Sequence, residues 1–138
     1  NKVYVDENGN EMVLVNRSDG LGVKEIKKLG IKQVIISTEK NPIVAQRAKK
    51  IDIPFLQGID NKKEALINYC QGNNIDLEKV AYVGNDINDK EAMGIVGIAF
   101  CPADAHENII TISDYIFKTK GGNGVIRELL DLILLWRN

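Results

Sequence analysis

The sequence predicts an α/β fold, a doubly wound parallel sheet preceded by an N-terminal β-hairpin. From residue 33 onward, short apolar runs alternate with helical patterns at intervals of about ten residues, which is typical of βαβ units. Glycine, hydroxyl or acidic residues follow several of these runs, as at the carboxyl edge of an open parallel sheet, where ligands bind. The first fifteen residues differ, because an Asn-Gly turn separates two Val-containing stretches.

The hairpin is predicted to pair residues 2–6 with residues 11–15. An isolated two-stranded hairpin is only marginally stable in water, so it is expected to pack on another surface. A capping segment at residues 18–20 then begins a helix that ends near Leu29, before Gly30.

Strands and helices alternate through the rest of the chain. The predicted strands are residues 33–36, 55–57, 80–83, 98–101 and 115–118. The predicted helices are residues 42–50, 62–71, 89–94 and 125–136. The last helix is apolar almost all round, which indicates burial on several sides and favours a contact between subunits over an internal core.

The length, net charge and apolar runs of the chain limit its domain count and its expected partners. The chain has 138 residues, and we predict a single domain over 1–138, with a hairpin at 1–15 and a final helix at 125–138. Eighteen basic and nineteen acidic residues leave a net charge of −1, so neither nucleic acid nor a membrane surface is an expected partner. No apolar run reaches the roughly 18 residues of a membrane span.

The chain start and the cysteines indicate a cytoplasmic protein. The chain begins with neither an initiator Met nor an apolar signal segment, and we interpret it as a processed or excised piece. Cys70 and Cys101 are far apart and have no metal-ligand spacing. We predict two buried free thiols in a reducing compartment rather than a disulfide.

Polar side chains follow three of the predicted strands. An apolar run at 80–83 breaks at Gly84 and leads into Asp86 and Asp89, a pattern that suits a hard cation such as Mg²⁺. Ser37 and Lys62 follow the two preceding strands. Taken singly, Ser37 is more typical of a helix cap, Lys62 of a solvated cation and the acidic residues of a polar loop. Together they predict a site that holds a phosphoryl group and a metal at one edge of the sheet.

The order of these motifs resembles that of the haloacid dehalogenase superfamily, specifically its small phosphatases of sugar acids. Those enzymes act on 3-deoxy-manno-octulosonate 8-phosphate or nonulosonate 9-phosphate. The chain is similar, too, to the domain fused behind the cytidylyltransferase in some CMP-acylneuraminate (sialic acid) synthetases. The matching segments span essentially the whole chain: residues 3–11, 16–22, 35–37, 57–58 with Lys62, 82–89, 102–106 and 121–128.

The resemblance implies a role for each candidate residue. It implies Mg²⁺ as the cofactor, a phosphorylated sugar acid as the substrate, and a homotetramer built through the hairpin. The implied phosphate-binding residues are Ser37 and Lys62; the metal-site residues are Asn85, Asp86 and Asp89; the substrate-binding residues are Glu39, Arg47, Gly121 and Gly122. Glu39 stands where octulosonate enzymes often have Arg, which hints at a nonulosonate.

Two departures from the family pattern bear on activity. The superfamily places its nucleophile and its general acid–base in an Asp-x-Asp at the end of the first, central strand, and this chain contains no Asp-x-Asp. We therefore expect the nucleophilic Asp to lie upstream of this chain. Without that residue, the chain is predicted to be inactive. In addition, Asn85 stands where these phosphatases usually have a metal-binding Asp.

The missing central strand also matters for folding. The strands at 33–36 and 80–83 should flank it, and each buried backbone group left without a partner costs about 1–3 kcal/mol. Two explanations are open: either sequence that is not part of this chain supplies the strand, or the two flanking strands pair with each other.

Three functions are compatible with the motifs. The first is a Mg²⁺-dependent phosphatase, which the presence of Ser37 and Lys62 favours. The second is a non-catalytic oligomerisation domain of a CMP-acylneuraminate synthetase, which Asn85 and the apolar last helix favour. The third, a phosphorylated receiver domain, has no acceptor candidate beyond Asp86. His106 is interpreted as a hydrogen-bonding loop residue rather than a base.

Overall fold

The structure, a computed structural model, describes residues 2–138. The strands are β1 (Tyr4–Val5), β2 (Glu11–Met12), β3 (Ile35–Ile36), β4 (Phe55–Leu56), β5 (Ala81–Val83), β6 (Ile98–Cys101) and β7 (Tyr115–Ile116). The helices are α1 (Arg17–Lys28), α2 (Ile43–Lys50), α3 (Lys62–Gly72), α4 (Lys90–Met93), α5 (Glu107–Ile112) and α6 (Val125–Arg137). Short 3₁₀ turns, Leu77–Lys79 and Ile87–Asp89, precede β5 and α4.

The predicted hairpin is present, with a shorter ladder than expected. Strands β1 and β2 pair antiparallel, with Tyr4 opposite Met12. Asp6 Oδ1 closes the turn by accepting from the N–H groups of Asn8 at 2.9 Å and Asn10 at 2.8 Å. The large apolar side chains of the hairpin stay exposed, and they are Val3, Tyr4, Val5, Met12, Val13, Leu14 and Val15.

The predicted strands are present and pair in parallel, but they form two separate sheets. β3 pairs with β4, and β5, β6 and β7 form a second, three-stranded sheet. Within residues 2–138, β3 and β5 belong to different sheets. The alternative in which these two strands pair with each other is therefore wrong. Both retain an unpaired edge, as expected of strands that flank a missing central strand.

Helices cover both faces of the divided sheet. On one face, the buried cluster contains Leu66, Cys70, Tyr82, Ala92, Met93, Ala99, Cys101, Ala105 and Ile109, with Ile36 of β3 packed against it. A smaller cluster of Phe100, Phe117 and Val125 lies beneath α6. Both cysteines are buried free thiols, as predicted. None of the helices in residues 2–138 has the length and apolar character of a transmembrane span.

Helices α1 and α6 lie side by side because Gly22 has no side chain. A Cβ at Gly22 would lie 2.9 Å from the carbonyl carbon and oxygen of Ile126. At the end of α6, Leu134, Leu135 and Trp136 are 43%, 69% and 55% exposed in the single chain, so an internal core does not bury the last turn. The favoured alternative, a contact between subunits, stays a prediction.

Two local details differ from the prediction. Helix α1 begins one residue before the predicted cap, because Asn16 Oδ1 accepts from Ser18 N at 2.8 Å. Helix α5 was not predicted; its cap is His106, whose Nδ1 accepts from Asn108 N at 3.2 Å. This contact agrees with the interpretation of His106 as a hydrogen-bonding loop residue.

Candidate functional site

Asp89, at the end of the 3₁₀ turn after β5, is the centre of the candidate site. It is 3% exposed. Its Oδ1 accepts from Lys62 Nζ at 2.7 Å and from the Tyr82 hydroxyl at 2.9 Å. Its Oδ2 accepts from the main-chain N–H of Asn85 at 2.9 Å and of Asp86 at 3.3 Å. Four donors thus compensate for the lost hydration of one buried carboxylate.

Lys62 is the first residue of α3, and the cap of that helix fixes where its side chain starts. Asn61 Oδ1 accepts from Glu64 N at 3.0 Å. The side chains of Lys62 and Asp89 are only 10% and 4% exposed, so their ion pair is a buried one, and loss of either partner would leave the other without a counter-charge. An ammonium group has three N–H donors, and the bond to Asp89 uses one of them. The positive end of α3 adds to the attraction for an anion.

Tyr82 reaches Asp89 from within the core. Its ring belongs to the buried cluster beneath α3 and α4. Burial, the charge of Asp89 and the hydrogen bond to it raise the pKa of Tyr82 well above its usual value near 10. The hydroxyl is therefore a constant donor to Asp89 at neutral pH.

Gly84 allows the loop after β5 to lie against Asp89. A Cβ at Gly84 would lie 2.7 Å from Asp89 Cβ and 2.6 Å from Met93 Sδ. Such separations are far below ordinary contact distances, so a larger residue would displace the carboxylate or the loop. The glycine in the predicted motif thus serves close packing.

Ser37 lies at the same edge as this loop. Its Oγ accepts from Glu39 N at 3.1 Å. The next residue, Thr38, accepts from Asn88 Nδ2 through its Oγ1 at 3.4 Å. Since Asn88 directly precedes Asp89, the structure brings the segments of Ser37, Lys62 and the acidic loop together across the division between the two sheets.

The acidic loop alone is an incomplete ligand set for Mg²⁺. Residues 2–138 contain no group of three or more His, Cys, Asp or Glu side chains able to hold a metal ion. Donors already occupy both oxygens of Asp89, which leaves the Asn85 amide and the Asp86 carboxylate. Mg²⁺ prefers octahedral oxygen ligands, carboxylates among them. The described residues do not fit a Mg²⁺ site by themselves, and the ligand roles of Asn85, Asp86 and Asp89 stay predictions.

The predicted substrate residues Glu39 and Arg47 have different surroundings. Glu39 is exposed beside Ser37, and its Oε1 accepts from Asn41 N at 2.9 Å. Arg47 Nη2 donates to the main-chain oxygen of Asn16 at 3.1 Å, at the start of α1. Arg47 is thus engaged by α1, and the substrate roles of both residues stay predictions.

The glycine-rich segment that includes Gly121 and Gly122 is linked to the acidic loop through the loop after β6. Gly121 N donates to Asp104 Oδ1 at 2.7 Å. Two residues further on, His106 N donates to the main-chain oxygen of Asn85 at 2.9 Å. Gly122 has φ +77°, a conformation that side chains rarely adopt. The segment lies near the candidate site, and contact of these glycines with a substrate stays a prediction.

Two carboxylates hold the ends of the glycine-rich segment. Glu128 accepts from the N–H groups of Lys118 and Thr119, both at 2.9 Å. Burial works against the charged form of Glu128, but the hydrogen bonds from Thr119 and Lys118 outweigh it and keep the pKa below the usual value. At the other end, Asp19 Oδ1 caps α6 by accepting from Ile126 N at 2.8 Å.

Two surface cavities lie apart from this site. One of about 290 Å³ lies at the amino ends of β3 and β4, and its lining includes Lys27, Lys32 and Tyr69. The other, about 530 Å³, runs along the outer side of β4 and α3. Neither of these two cavities is lined by Ser37, Lys62 or Asp86.

Sequence reasoning missed Tyr82, Thr38 and Asn88 as members of the site. A period of two in the strand at 80–83 places Tyr82 on an inner face, but its partner Asp89 is a tertiary contact. Thr38 follows Ser37 and Asn88 precedes Asp89, so their positions next to predicted site residues could have identified them.

Comparisons with known proteins agree with this architecture. The model of the haloacid dehalogenase-like hydrolase family matches residues 22–129. The 3-deoxy-D-manno-octulosonate 8-phosphate phosphatase of Escherichia coli strain K12 is 37% identical over 134 residues, which cover 96% of this chain and 71% of that protein.

Solved structures of the same kind superimpose closely. One is a 3-deoxy-D-manno-octulosonate 8-phosphate phosphatase from Moraxella catarrhalis in complex with magnesium ion, phosphate ion and KDO. It has a TM-score of 0.92 and 33% identity, and the match covers 97% of this chain and 78% of that one. The phosphatase of that name from Yersinia pestis also has a TM-score of 0.92, with 32% identity over 97% of this chain and 73% of the other. The chain described here therefore belongs to the haloacid dehalogenase-like hydrolase family.

Proposed function

We propose that this chain forms the greater part of a phosphatase that hydrolyses the phosphate ester of a sugar acid. The substrate class is a 3-deoxy-octulosonate 8-phosphate or a nonulosonate 9-phosphate. The observation that carries the proposal is the buried pair of Lys62 and Asp89, 2.7 Å apart, at the edge that also holds Ser37. A buried lysine with unused N–H donors, at the same edge of the sheet as a serine hydroxyl, suits the oxygens of a phosphoryl group.

The residues of this chain would bind and orient the phosphate. Lys62 would donate to its oxygens, and the positive end of α3 would offset part of its charge. Ser37 would add a hydroxyl donor. Asp89 would hold Lys62 in place and, through the N–H groups of Asn85 and Asp86, fix the loop next to it.

The nucleophile would come from an upstream strand that fills the division between β3 and β5. The free edges of β3 and β5 support this part of the proposal. Within residues 2–138 both strands lack a neighbour on one side, where a parallel strand would satisfy backbone donors and acceptors. An Asp-x-Asp at the end of such a strand would lie beside Ser37 and Asp86.

Magnesium dependence is part of the same proposal. The Mg²⁺ complex of the Moraxella catarrhalis relative supports it. Because residues 2–138 do not complete a ligand set, the missing carboxylates would have to come from the upstream strand. Asn85 would contribute an amide oxygen, with one negative charge fewer than an Asp.

A homotetramer in the cytoplasm is the proposed state. Seven large apolar side chains are exposed on the hairpin, which is more than a two-stranded element normally leaves in water. A second copy of the chain would cover them. The two buried free thiols are compatible with a reducing compartment.

The test is phosphate release by the protein extended to include its preceding strand. With Mg²⁺ and either sugar-acid phosphate, we expect release that Ser37→Ala lowers about 100–1,000-fold in kcat, because one donor to the developing charge is lost. Lys62→Ala should abolish it. Lys27→Ala, at the amino ends of the strands, is the matched control and should leave the rate unchanged.

Two results would contradict the proposal. One is release that survives Lys62→Ala in protein whose circular dichroism is unchanged. The other is no release from either substrate; a stable tetramer on a sizing column would then support an assembly domain instead.

A further inference from the structure

The Tyr82 hydroxyl has no role in the function described so far, although it contacts the centre of the site. It lies 2.9 Å from Asp89 Oδ1, the same oxygen that accepts from Lys62 Nζ at 2.7 Å. Tyr82 and Asp89 are 9% and 3% exposed, so water does not compete for this bond. A buried tyrosine that served only to fill the core could be replaced by phenylalanine without loss.

We propose that Tyr82 is a positioning residue that sets how strongly Asp89 holds Lys62. The inference rests on the proposed phosphatase function, because it concerns the availability of Lys62 to a phosphate. Because the hydroxyl donates to Oδ1, it compensates part of the negative charge of that oxygen, and less of this charge acts on Lys62. The Lys62 ammonium is then anchored by Asp89 without being fully neutralised by it.

Lys62 and Tyr82 can share Oδ1 because the other oxygen of Asp89 is fixed in place. Oδ2 is bound to the N–H groups of Asn85 and Asp86, so the carboxylate is unable to turn and offer Lys62 a different oxygen. Gly84, packed against Asp89 Cβ, further restricts its movement. Lys62 and Tyr82 therefore share a single acceptor atom in a fixed place.

Removal of the Tyr82 hydroxyl should strengthen the attraction between Asp89 and Lys62. In Tyr82→Phe, Oδ1 would have Lys62 as its remaining side-chain donor, and the ammonium would be drawn toward the carboxylate and away from the phosphate. A hydrogen bond to a charged group contributes enough to change an affinity about tenfold. Because Lys62 would contact the phosphate before and during the reaction, the loss should fall on binding rather than on turnover.

The experiment measures the affinity for inorganic phosphate by calorimetry and, on the extended enzyme, KM and kcat separately. Tyr82→Phe should weaken phosphate binding and raise KM about tenfold, with kcat changed less than about threefold. The ¹⁵N signal of the Lys62 ammonium should shift in the same variant. Tyr69→Phe, a half-buried tyrosine on the same helix as Lys62, is the matched control and should alter none of these.

The outcomes separate the inference from the function on which it rests. Phosphate affinity and a Lys62 signal that are unchanged in Tyr82→Phe would overturn the inference while leaving the phosphatase proposal intact. A fall in kcat with KM unchanged would also overturn it, because Tyr82 would then act on another step. A parent protein that neither binds phosphate nor releases it would overturn both.

Discussion

Asp89→Ala is expected to lower the free energy of unfolding by about 3–5 kcal/mol, because it leaves the Lys62 ammonium buried without a counter-charge. The variant also unpairs the Tyr82 hydroxyl and the N–H groups of Asn85 and Asp86, which all donate to Asp89. Since a domain of this kind is stable by only about 5–15 kcal/mol, the loss should be plain in urea unfolding monitored by circular dichroism.

The matched control is an ion pair on the surface. Lys27 and Asp52 form a salt bridge in which the side chains are 59% and 86% exposed. Lys27→Ala, which removes this bridge and leaves Asp52 at its φ of +55°, should therefore cost no more than about 1 kcal/mol. Equal losses in Asp89→Ala and Lys27→Ala would contradict the assignment of Asp89 as the buried anchor of the site.

Gly22→Ala should be the most damaging single methyl group that can be added to the α1–α6 contact. The new Cβ would lie 2.9 Å from the Ile126 carbonyl and 3.0 Å from Arg127 N, and both neighbours are backbone. The two helices would have to move apart, at a cost of about 1–3 kcal/mol, which exceeds the helix propensity gained from Ala. Because α6 begins directly after the glycine-rich segment, that segment should shift as well.

Gly72→Ala is the control for this change. Gly72 ends α3, and nothing lies within 4 Å of the position that its Cβ would take. There the substitution should be neutral or stabilise the protein by up to about 1 kcal/mol. The thermal unfolding temperature of Gly22→Ala should therefore fall, whereas that of Gly72→Ala should stay unchanged or rise. A Gly22→Ala variant as stable as Gly72→Ala would show that the helices are not in close contact.

Local signals in the sequence predict most of the elements of this fold. The Asn-Gly turn at Gly9 predicts the hairpin, and the alternation of apolar runs with helical patterns after residue 33 predicts the parallel strands. The predicted capping segment of α1, residues 18–20, begins two residues too late, because Asn16 supplies the cap in the structure. Helix α5 was missed because it has six residues and its cap is a histidine, which is rarely a cap.

The site was only partly predictable, for a physical reason. The residue types and their positions after strands indicate a phosphate site, because parallel strands bring their carboxyl ends to one edge. The bond between Lys62 and Asp89, however, joins residues 27 positions apart, and only folding shows that it saturates Oδ1 together with Tyr82. Four donors around Asp89 favour an anchoring role over direct contact with a metal, a distinction that spacing alone is unable to make.

The most direct test of the account is to map where a phosphate mimic binds. Orthovanadate titrated into ¹⁵N-labelled protein should perturb the amide signals of Ser37, Thr38 and Asn85 and the ammonium signal of Lys62, with little change near Lys27 and Lys32. Perturbations centred on Lys27 and Lys32, at the opposite ends of the strands, or none at Ser37 and Lys62, would contradict a phosphoryl site at the carboxyl edge.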